Sequence, residues 1–343
     1  MTEPAPIIRD WRASLHAVPE TDDRPLTAAR PEDISGMVGQ TVLVNQLRIL
    51  AAGAKLRGTP IPHILLSGPA GFGKTTLAGI IAGETGGELM VTNGMTLRKS
   101  SDLLGLLIKL TPNAVLFIDE VHRLPTTVME ALYTALEDRC VDLLIGSGKS
   151  TRAYRHELPV FTCVGATTQP GQLAGPFRDR FGFHGQLEPY TVEELTEIVR
   201  RAWVRRGVTF GAGEPRQVAE RCKGVPRLAL HLAERVLDFA AMMGSRNVDT
   251  GCSGSALTAF GIDDRGLDKV DWRILDALVN TFQGRCVGVA TICQAIDIDP
   301  STFERQHEGP LVRAGLMQRT QAGRMALPAA HEMFRPTLPL ASQ

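Results

Sequence analysis

The spacing of apolar positions changes along the chain, and each change marks an element. From about Arg30 to Leu187, short continuous apolar runs alternate with longer stretches whose apolar residues recur at helical spacing. "PHILLSGPAG" reads as a buried strand leaving into a glycine turn, and "KTTLAGIIAGETG" as the helix that follows. "GELMVTN" is a second strand, and "SSDLLGLLIKL" opens with two candidate N-caps before spacing its leucines for a helix. "NAVLFIDE" is an apolar run closed by two carboxylates, the pattern of a strand covered on both faces. "TTVMEALYTALED" is the next helix and "FTCVGATT" another buried strand. Strands alternating with helices imply a parallel α/β sheet sandwiched between helical layers, assigned to residues 25–187.

Past "GQLEPY" the period of two disappears. "TVEELTEIVRRAWVRRG", "EPRQVAERCKG" and "PRLALHLAERVLDFAAMMG" predict three successive helices with no strand between them, a small helical domain over 188–262. Thr191 with Glu194 three residues on forms a capping box at its start. The acidic, glycine-bearing "GIDDRGLD" reads as a linker. Beyond it, "KVDWRILDALVNTF", "VATICQAI" and "DPSTFERQHEGPLVRAG" predict helices, and "LMQRTQAGRMAL" two short strands around a glycine turn. Three helices and a β-hairpin are the plan of a winged helix, placed at 263–335, with a short tail at 336–343. The proline-bearing, acidic N-terminus suggests a poorly ordered leader over 1–24, without the basic start and apolar block of a signal peptide.

Composition narrows the function. A chain of 343 residues suits two or three domains, and 22% charged with 43% hydrophobic residues describes a globular protein. Lysine plus arginine equals aspartate plus glutamate at 37 each, so contact with DNA must come from a local patch rather than from bulk charge. The cysteines at 140, 163, 222, 252, 286 and 293 form no C-x-x-C pair, and no histidine stands at zinc-finger spacing. A reduced, cytoplasmic protein without structural metal is expected. No window approaches the roughly 18 apolar residues of a membrane span.

"GPAGFGKTT", Gly68 to Thr76, fits the P-loop pattern in full and lies between a predicted strand and a predicted helix. Its glycines, Gly71 and Gly73 among them, let backbone N–H groups turn toward phosphate oxygens. Lys74 supplies a cation for the β and γ phosphates of ATP, Thr75 a ligand for Mg²⁺, and Thr76 is expected among the nucleotide-binding residues. Asp119, at the end of "LFIDE", is placed to hold the same metal, while Glu120 is placed to orient and deprotonate water. Thr168, closing the strand "FTCVGATT", is the candidate for touching the γ-phosphate. Arg180 in "GPFRDRFGF" follows that strand on an edge of the domain, where it meets an ATP only if another copy docks against it. In the C-terminal domain no acidic residue lies between Glu308 and Glu332, while Arg313, Arg319 and Arg324 do, a basic stretch suited to duplex phosphates.

The order "GPAGFGKTTLA", "VLFIDEVHRL", "LYTALED", "LPVFTCVGATT", "GPFRDRFGF", "GVPRLA" and "QRTQAGRM" resembles the RuvB family of AAA+ motors over about residues 28 to 334. That resemblance implies an AAA+ P-loop domain followed by a helical lid and a winged helix, acting as an ATP-driven motor of Holliday-junction branch migration. It implies that Arg180 is an arginine finger for a neighbouring subunit and Arg227 a second sensor from the lid. It places Arg30, Val38 and Tyr190 at the nucleotide pocket, and Arg319 and Arg324 against DNA. The segment 139–158 corresponds to the hairpin that holds the junction-recognising partner RuvA. A homo-oligomer, a hexameric ring, is expected on double-stranded or four-way junction DNA. Gln169, Ala322, Ala70 and Phe72 stand where the family usually has Arg, a basic residue, Pro and Leu, changes that spare the hydrolysis core and thin the surrounding positive charge. Two other readings of the same residues are a nucleotide-gated loader of a protein assembly, its winged helix docking protein, and an ATP-dependent transcription regulator. The helix "PSTFERQHEGPLVRAG" offers few side chains that read base edges, which disfavours the regulator.

Overall fold

The computed structural model describes residues 25–28, 31, 33–145 and 152–334, in two compact units, Thr27–Glu194 and Leu195 onward. The leader, the tail, Arg30 and the hairpin tip 146–151 lie outside the described residues.

The first unit is built on a parallel sheet of β1 (Ile64–Ser67), β2 (Leu89–Asn93), β3 (Val115–Asp119), β6 (Thr162–Thr167) and β7 (Phe183–Gln186), in the order β2-β3-β6-β1-β7. Helices α1 (Thr41–Arg57), α2 (Lys74–Thr85), α3 (Ser100–Leu107), α4 (Thr126–Asp138) and the short α5 (Gly175–Arg178) accompany it. The central strands β3 and β6 are apolar and buried, as continuous runs in a sheet covered on both faces must be. One cluster joins them to α3 and α4 through Leu103, Leu107, Leu116, Ile118, Val128, Leu132 and Phe177.

Elements absent from the sequence reading include α1, the short α5 and β7. Helix α1 leaves Val42, Ile49 and Leu56 exposed, so its apolar residues ring the helix and blur the amphipathic stripe. Strand β7, "FHGQ", has no alternating apolar pattern, and its membership comes from pairing Ile64 with Phe183 through Ser67 with Gln186. The N-caps predicted at the start of α3 are corrected as well. Ser100 and Ser101 lie inside the first turn, and the Asp102 carboxylate accepts from the backbone of Arg98 and Lys99 instead. Strands β4 (Cys140–Ile145) and β5 (Arg152–Glu157) pair antiparallel, Cys140 opposite Glu157, and form the stem of the expected hairpin.

In the second unit, α6 (Val192–Arg205), α7 (Glu214–Ala219) and α8 (Pro226–Met242) match the three predicted helices. The Thr191–Glu194 capping box is present, with Glu194 N–H donating to the Thr191 hydroxyl at 3.2 Å and Thr191 N–H to the Glu194 carboxylate at 2.9 Å. The expectation of no strand is corrected by β8 (Thr209–Phe210) and β9 (Asn247–Val248), a two-residue parallel pair. A further helix, α9 (Thr250–Ala259), follows, hidden in the sequence by its glycine and serine content and started by an Asp249 cap on Cys252 N–H at 2.7 Å.

The "GIDDRGLD" segment is irregular but pinned: Asp263 accepts from Leu267 N–H at 2.7 Å and Trp272 Nε1 at 3.0 Å. After it, α10 (Lys269–Asp276) runs into a wide turn at Ala277–Thr281, and α11 (Val289–Ile296) follows. A longer helical run is built from α12 (Pro300–Thr302), a wide turn at Phe303–Glu308 and α13 (Gly309–Arg313). The hairpin β10 (Met317–Thr320) and β11 (Gly323–Ala326) completes the wing, with Val287 bridging Arg324, and α14 (Pro328–Met333) closes the described chain. Ile274, Leu278, Ile292, Phe303, Leu311 and Met317 share its core.

Candidate nucleotide site and basic surfaces

Parallel strands all end on the same edge of a sheet, and neighbours in the order β3-β6-β1 deliver the predicted residues to one place. Strand β1 leads into the P-loop, β6 into Thr168, and β3 ends at Asp119 followed by Glu120. Gly68, Gly71 and Gly73 take φ of 148°, 82° and 98°, values that a side chain would resist, and α2 begins at Lys74. The Lys74 ammonium, nearly buried, donates to the carbonyls of Gly68 at 2.7 Å and Pro69 at 2.9 Å. Thr75 and Thr76 stand half-buried in the first turn of α2.

Glu120 has φ of 51°, which swings it out of the line of β3 and back toward β6. Its carboxylate accepts from Thr168 N–H at 3.2 Å and from the Thr168 hydroxyl at 2.9 Å, and lies 3.3 Å from His122 Nδ1. His122 Nδ1 is also 2.9 Å from the Thr167 hydroxyl. Asp119 Oδ1 accepts from Glu120 N–H at 3.0 Å. Thr168 therefore holds the carboxylate expected to act on water, a contact its candidacy as a γ-phosphate sensor does not foretell. His122 and Thr167 were not singled out from the sequence. The signal available was the second threonine of "GATT" and a histidine two places past Glu120, which only the turn geometry brings together.

On the other side of the P-loop, Tyr190 is buried, donating from its hydroxyl to the Phe72 carbonyl at 3.3 Å and meeting the Phe72 ring edge-on. Burial pushes its phenol well above the ordinary tyrosine range. A Cβ on Gly39 would stand 2.7 Å from the Tyr190 ring, so only glycine permits this approach. Gln40 ties the same corner, its amide donating to Glu188 O at 2.6 Å and accepting from Glu188 N–H at 3.0 Å. Val38, half-buried, precedes this pair. Gly39 and Gln40 were not singled out beforehand.

Arg180 lies at the opposite end of the sheet from the P-loop. Two residues separate it from β7, Phe183 is level with Ile64 at the start of β1, and Gly182 packs on Pro62. The run from Ile64 to Ser67 alone separates these ends by about 10 Å. The guanidinium is exposed, pairs with the exposed Glu137 at 2.9 Å and sits 5.9 Å from the Tyr133 ring centroid. Arg227 is exposed in the first turn of α8, in the second unit.

The wing arginines are held quite differently. Arg319 Nε donates to Glu308 Oε1 at 2.6 Å, and Arg324 Nε donates to the same oxygen. Glu308 is 2% exposed, the Arg319 side chain 56% and the Arg324 side chain only 18%. Arg313, an exposed residue overall, turns its guanidinium to the Lys223 carbonyl at 3.1 Å, and burial there lowers its pKa from the ordinary arginine value. On the hairpin, Tyr154 is exposed and Arg155 pairs with Asp138 at 3.1 Å.

Residues 29–187 match the family model of the Holliday junction DNA helicase RuvB P-loop domain, 190–263 the RuvB AAA lid domain and 264–335 the RuvB C-terminal winged helix domain. The chain is 42% identical over 304 residues to the Holliday junction branch migration complex subunit RuvB of Corynebacterium diphtheriae, covering 89% of this chain and 84% of that protein. The corresponding subunit of Rhodococcus erythropolis is 42% identical over 310 residues, covering 90% and 85%. The solved Thermotoga maritima RuvB Holliday junction branch migration motor superposes with a TM-score of 0.81 at 35% identity, covering 90% of this chain and 99% of that one.

Proposed function

The chain belongs to the RuvB family of ATP-driven AAA+ motors of Holliday-junction branch migration, and from that premise we propose which of its residues carry each step. Lys74 exchanges its two P-loop carbonyls for phosphate oxygens of ATP, the P-loop amides and the start of α2 supplying the rest of the cradle. Thr75 and Asp119 offer the hydroxyl and carboxylate oxygens that suit Mg²⁺. When bound, that ion offsets charge on the β and γ phosphates.

Glu120 orients the attacking water and takes up its proton on a carboxylate oxygen. Its contact with Thr168 supplies a gate. A threonine hydroxyl has one proton to donate, so giving it to the γ-phosphate withdraws it from Glu120 and leaves that carboxylate held only by the Thr168 N–H and His122, with acceptor capacity open to water. His122, beside both Glu120 and Thr167, limits how far the freed side chain swings. Tyr190, Val38 and Arg30 border the nucleotide, and Arg227 is the lid-side contact.

The observation that carries this reading is the division of charges between the two ends of one sheet. Lys74, Glu120 and Thr168 gather at the carboxyl ends, while Arg180 stands on the surface at the amino ends. It serves the site of an adjoining copy, so the active form is a ring, a hexamer, around duplex arms of the junction in the cytoplasm. The 139–158 hairpin holds the RuvA-type partner, and the wing, led by the exposed Arg319, follows DNA phosphates. ATP turnover measured with and without four-way junction DNA tests the function as a whole. Stimulation by the junction is expected, and a rate indifferent to DNA would overturn it.

A further inference from the structure

The basic stretch of the winged helix contributes a residue to something other than DNA. Arg313 donates to the carbonyl of Lys223, which lies four residues before Arg227. Lys223 takes φ of 54°, and its ammonium bonds residues of the winged helix. There it reaches Asp268 Oδ2 at 3.2 Å and also bonds the fully buried Asp271 carboxylate. His307 Nδ1 is 2.7 Å from the other Asp271 oxygen. Asp268, Asp271 and His307 are spaced as a cation site, their donor atoms within 4.8 Å, and two of the three, Asp268 and Asp271, hold the lysine ammonium. Burial alone would raise the Asp271 carboxyl, yet the His307 ring and Lys223 ammonium together hold it below the ordinary aspartate range. Beside this cluster, Arg221 donates to Asp263 O at 3.1 Å and pairs with Asp264 at 2.5 Å.

The next residue after His307 is Glu308, the carboxylate that anchors Arg319 and Arg324. Two sets of charged contacts, one reaching the loop before Arg227 and one reaching the wing, are thus joined through the backbone of a single helical run that carries His307 and Glu308 side by side. Between Lys223 and Arg227 there are only Gly224, Val225 and Pro226, and the proline fixes the first turn of α8. A shift of this loop cannot be absorbed by slack side chains, because both the carbonyl and the ammonium of Lys223 are held.

We infer that Lys223 is a positioning residue which, through Asp271 and His307, locks the loop bearing Arg227 to the winged helix, so that the nucleotide state at the lid sets the orientation of the wing. The inference rests on the reading of Arg227 as the lid-side nucleotide contact. An ion cluster is suited to this because it fails when one member moves, whereas an apolar contact slides. Arg313 is then a strut of this lock, and its substitution acts on coupling before it acts on DNA affinity.

The test uses the full chain, with three readings on each variant: ATP turnover without DNA, its stimulation by four-way junction DNA, and affinity for that DNA without nucleotide. Lys223→Met is expected to leave turnover without DNA and DNA affinity unchanged and to lower the stimulation roughly tenfold, within the usual range of coupling between sites. Asp271→Asn is expected to do the same, and the double variant to lose no more than either single one, since both act through one contact. Lys223→Arg should recover part of the stimulation. Wild-type stimulation in folded Lys223→Met, or losses that add in the double variant, would overturn the inference. Where Lys223→Met does not fold, Asp271→Asn alone carries the test, because asparagine can still accept a hydrogen bond and removes the charge that holds Lys223; undiminished stimulation there would equally overturn it. Arg227→Ala separates the parent reading: normal turnover and KM for ATP in that variant sink the lid assignment, whatever Lys223 does.

Discussion

Arg180 and Arg324 look alike in the sequence, each an arginine in a glycine-bounded stretch, but the structure treats them as opposites. Arg180 pairs with Glu137, whose side chain is 57% exposed, while Arg324 pairs with Glu308, whose side chain is 2% exposed. An exposed ion pair is worth about 0–1 kcal/mol, so Arg180 leaves Glu137 at little cost when a better anion arrives. A carboxylate buried with its partner is not given up so easily. Availability for function is set by the burial of the partner, a property the sequence of the arginine's own segment does not contain.

The comparison can be broken at either end. The largest effect is expected at the exposed one: Arg180→Ala should leave ATP binding intact and reduce turnover by about 10³ to 10⁵, roughly 4–7 kcal/mol of transition-state stabilisation. Nucleotide affinity and steady-state turnover measured together check this, and near-normal turnover removes the assignment. Next comes Glu308→Ala, which leaves the mostly buried Arg324 without its counter-charge and should cost about 3–5 kcal/mol in denaturant unfolding of the winged helix. A loss under about 1 kcal/mol would mean that the pair is solvated after all.

Smaller effects sharpen the contrast. Arg319→Ala should lower the salt slope of DNA binding by about one counterion, while Arg324→Ala should act on stability more than on that slope. Equal slopes for the two variants would erase the distinction drawn from their exposures. The least effect is expected at a pair that is part-exposed on both sides. Glu197 is held down to about 2 by the hydrogen bond from Arg200, opposed by burial and aided by Arg201. Its folded value lies below its unfolded one, so the contribution is present above the ordinary glutamate value and is lost as pH falls toward 2. With a third of the Glu197 side chain exposed, Glu197→Gln should cost under about 1 kcal/mol at neutral pH, read by thermal unfolding.

Much of the fold was open to reading because burial on both faces writes continuous apolar runs, as in β3 and β6, and because the P-loop pattern requires a strand before it and a helix after it. The elements that stayed hidden are those whose burial comes from neighbours rather than from their own pattern. Strand β7 is short and polar and exists by pairing with β1; α1 has apolar residues on every side; α9 is rich in small residues. At the site, the gathering of Lys74, Asp119, Glu120 and Thr168 at one edge of the sheet was readable, Lys74 from the P-loop pattern and the other three from their positions at strand ends. His122, Thr167, Gly39 and Gln40 were not, since a turn with positive φ or a close ring contact brings them in. The wing shows the same limit from the other side. Counting acids between Glu308 and Glu332 suggested an unneutralised basic stretch, but the neutralising carboxylate is Glu308 itself, placed across the hairpin by the helical run before it.

Whether Arg180 acts outside its own copy is tested directly by mixing two inactive proteins. Arg180→Ala and Glu120→Gln are each prepared alone and then combined before ATP turnover is measured. In a mixed assembly, an Arg180→Ala copy keeps an intact Glu120 and can sit beside a Glu120→Gln copy that supplies Arg180, so turnover should rise well above the sum of the two separate proteins. A mixture that does no better than that sum, with assembly verified, would contradict the account.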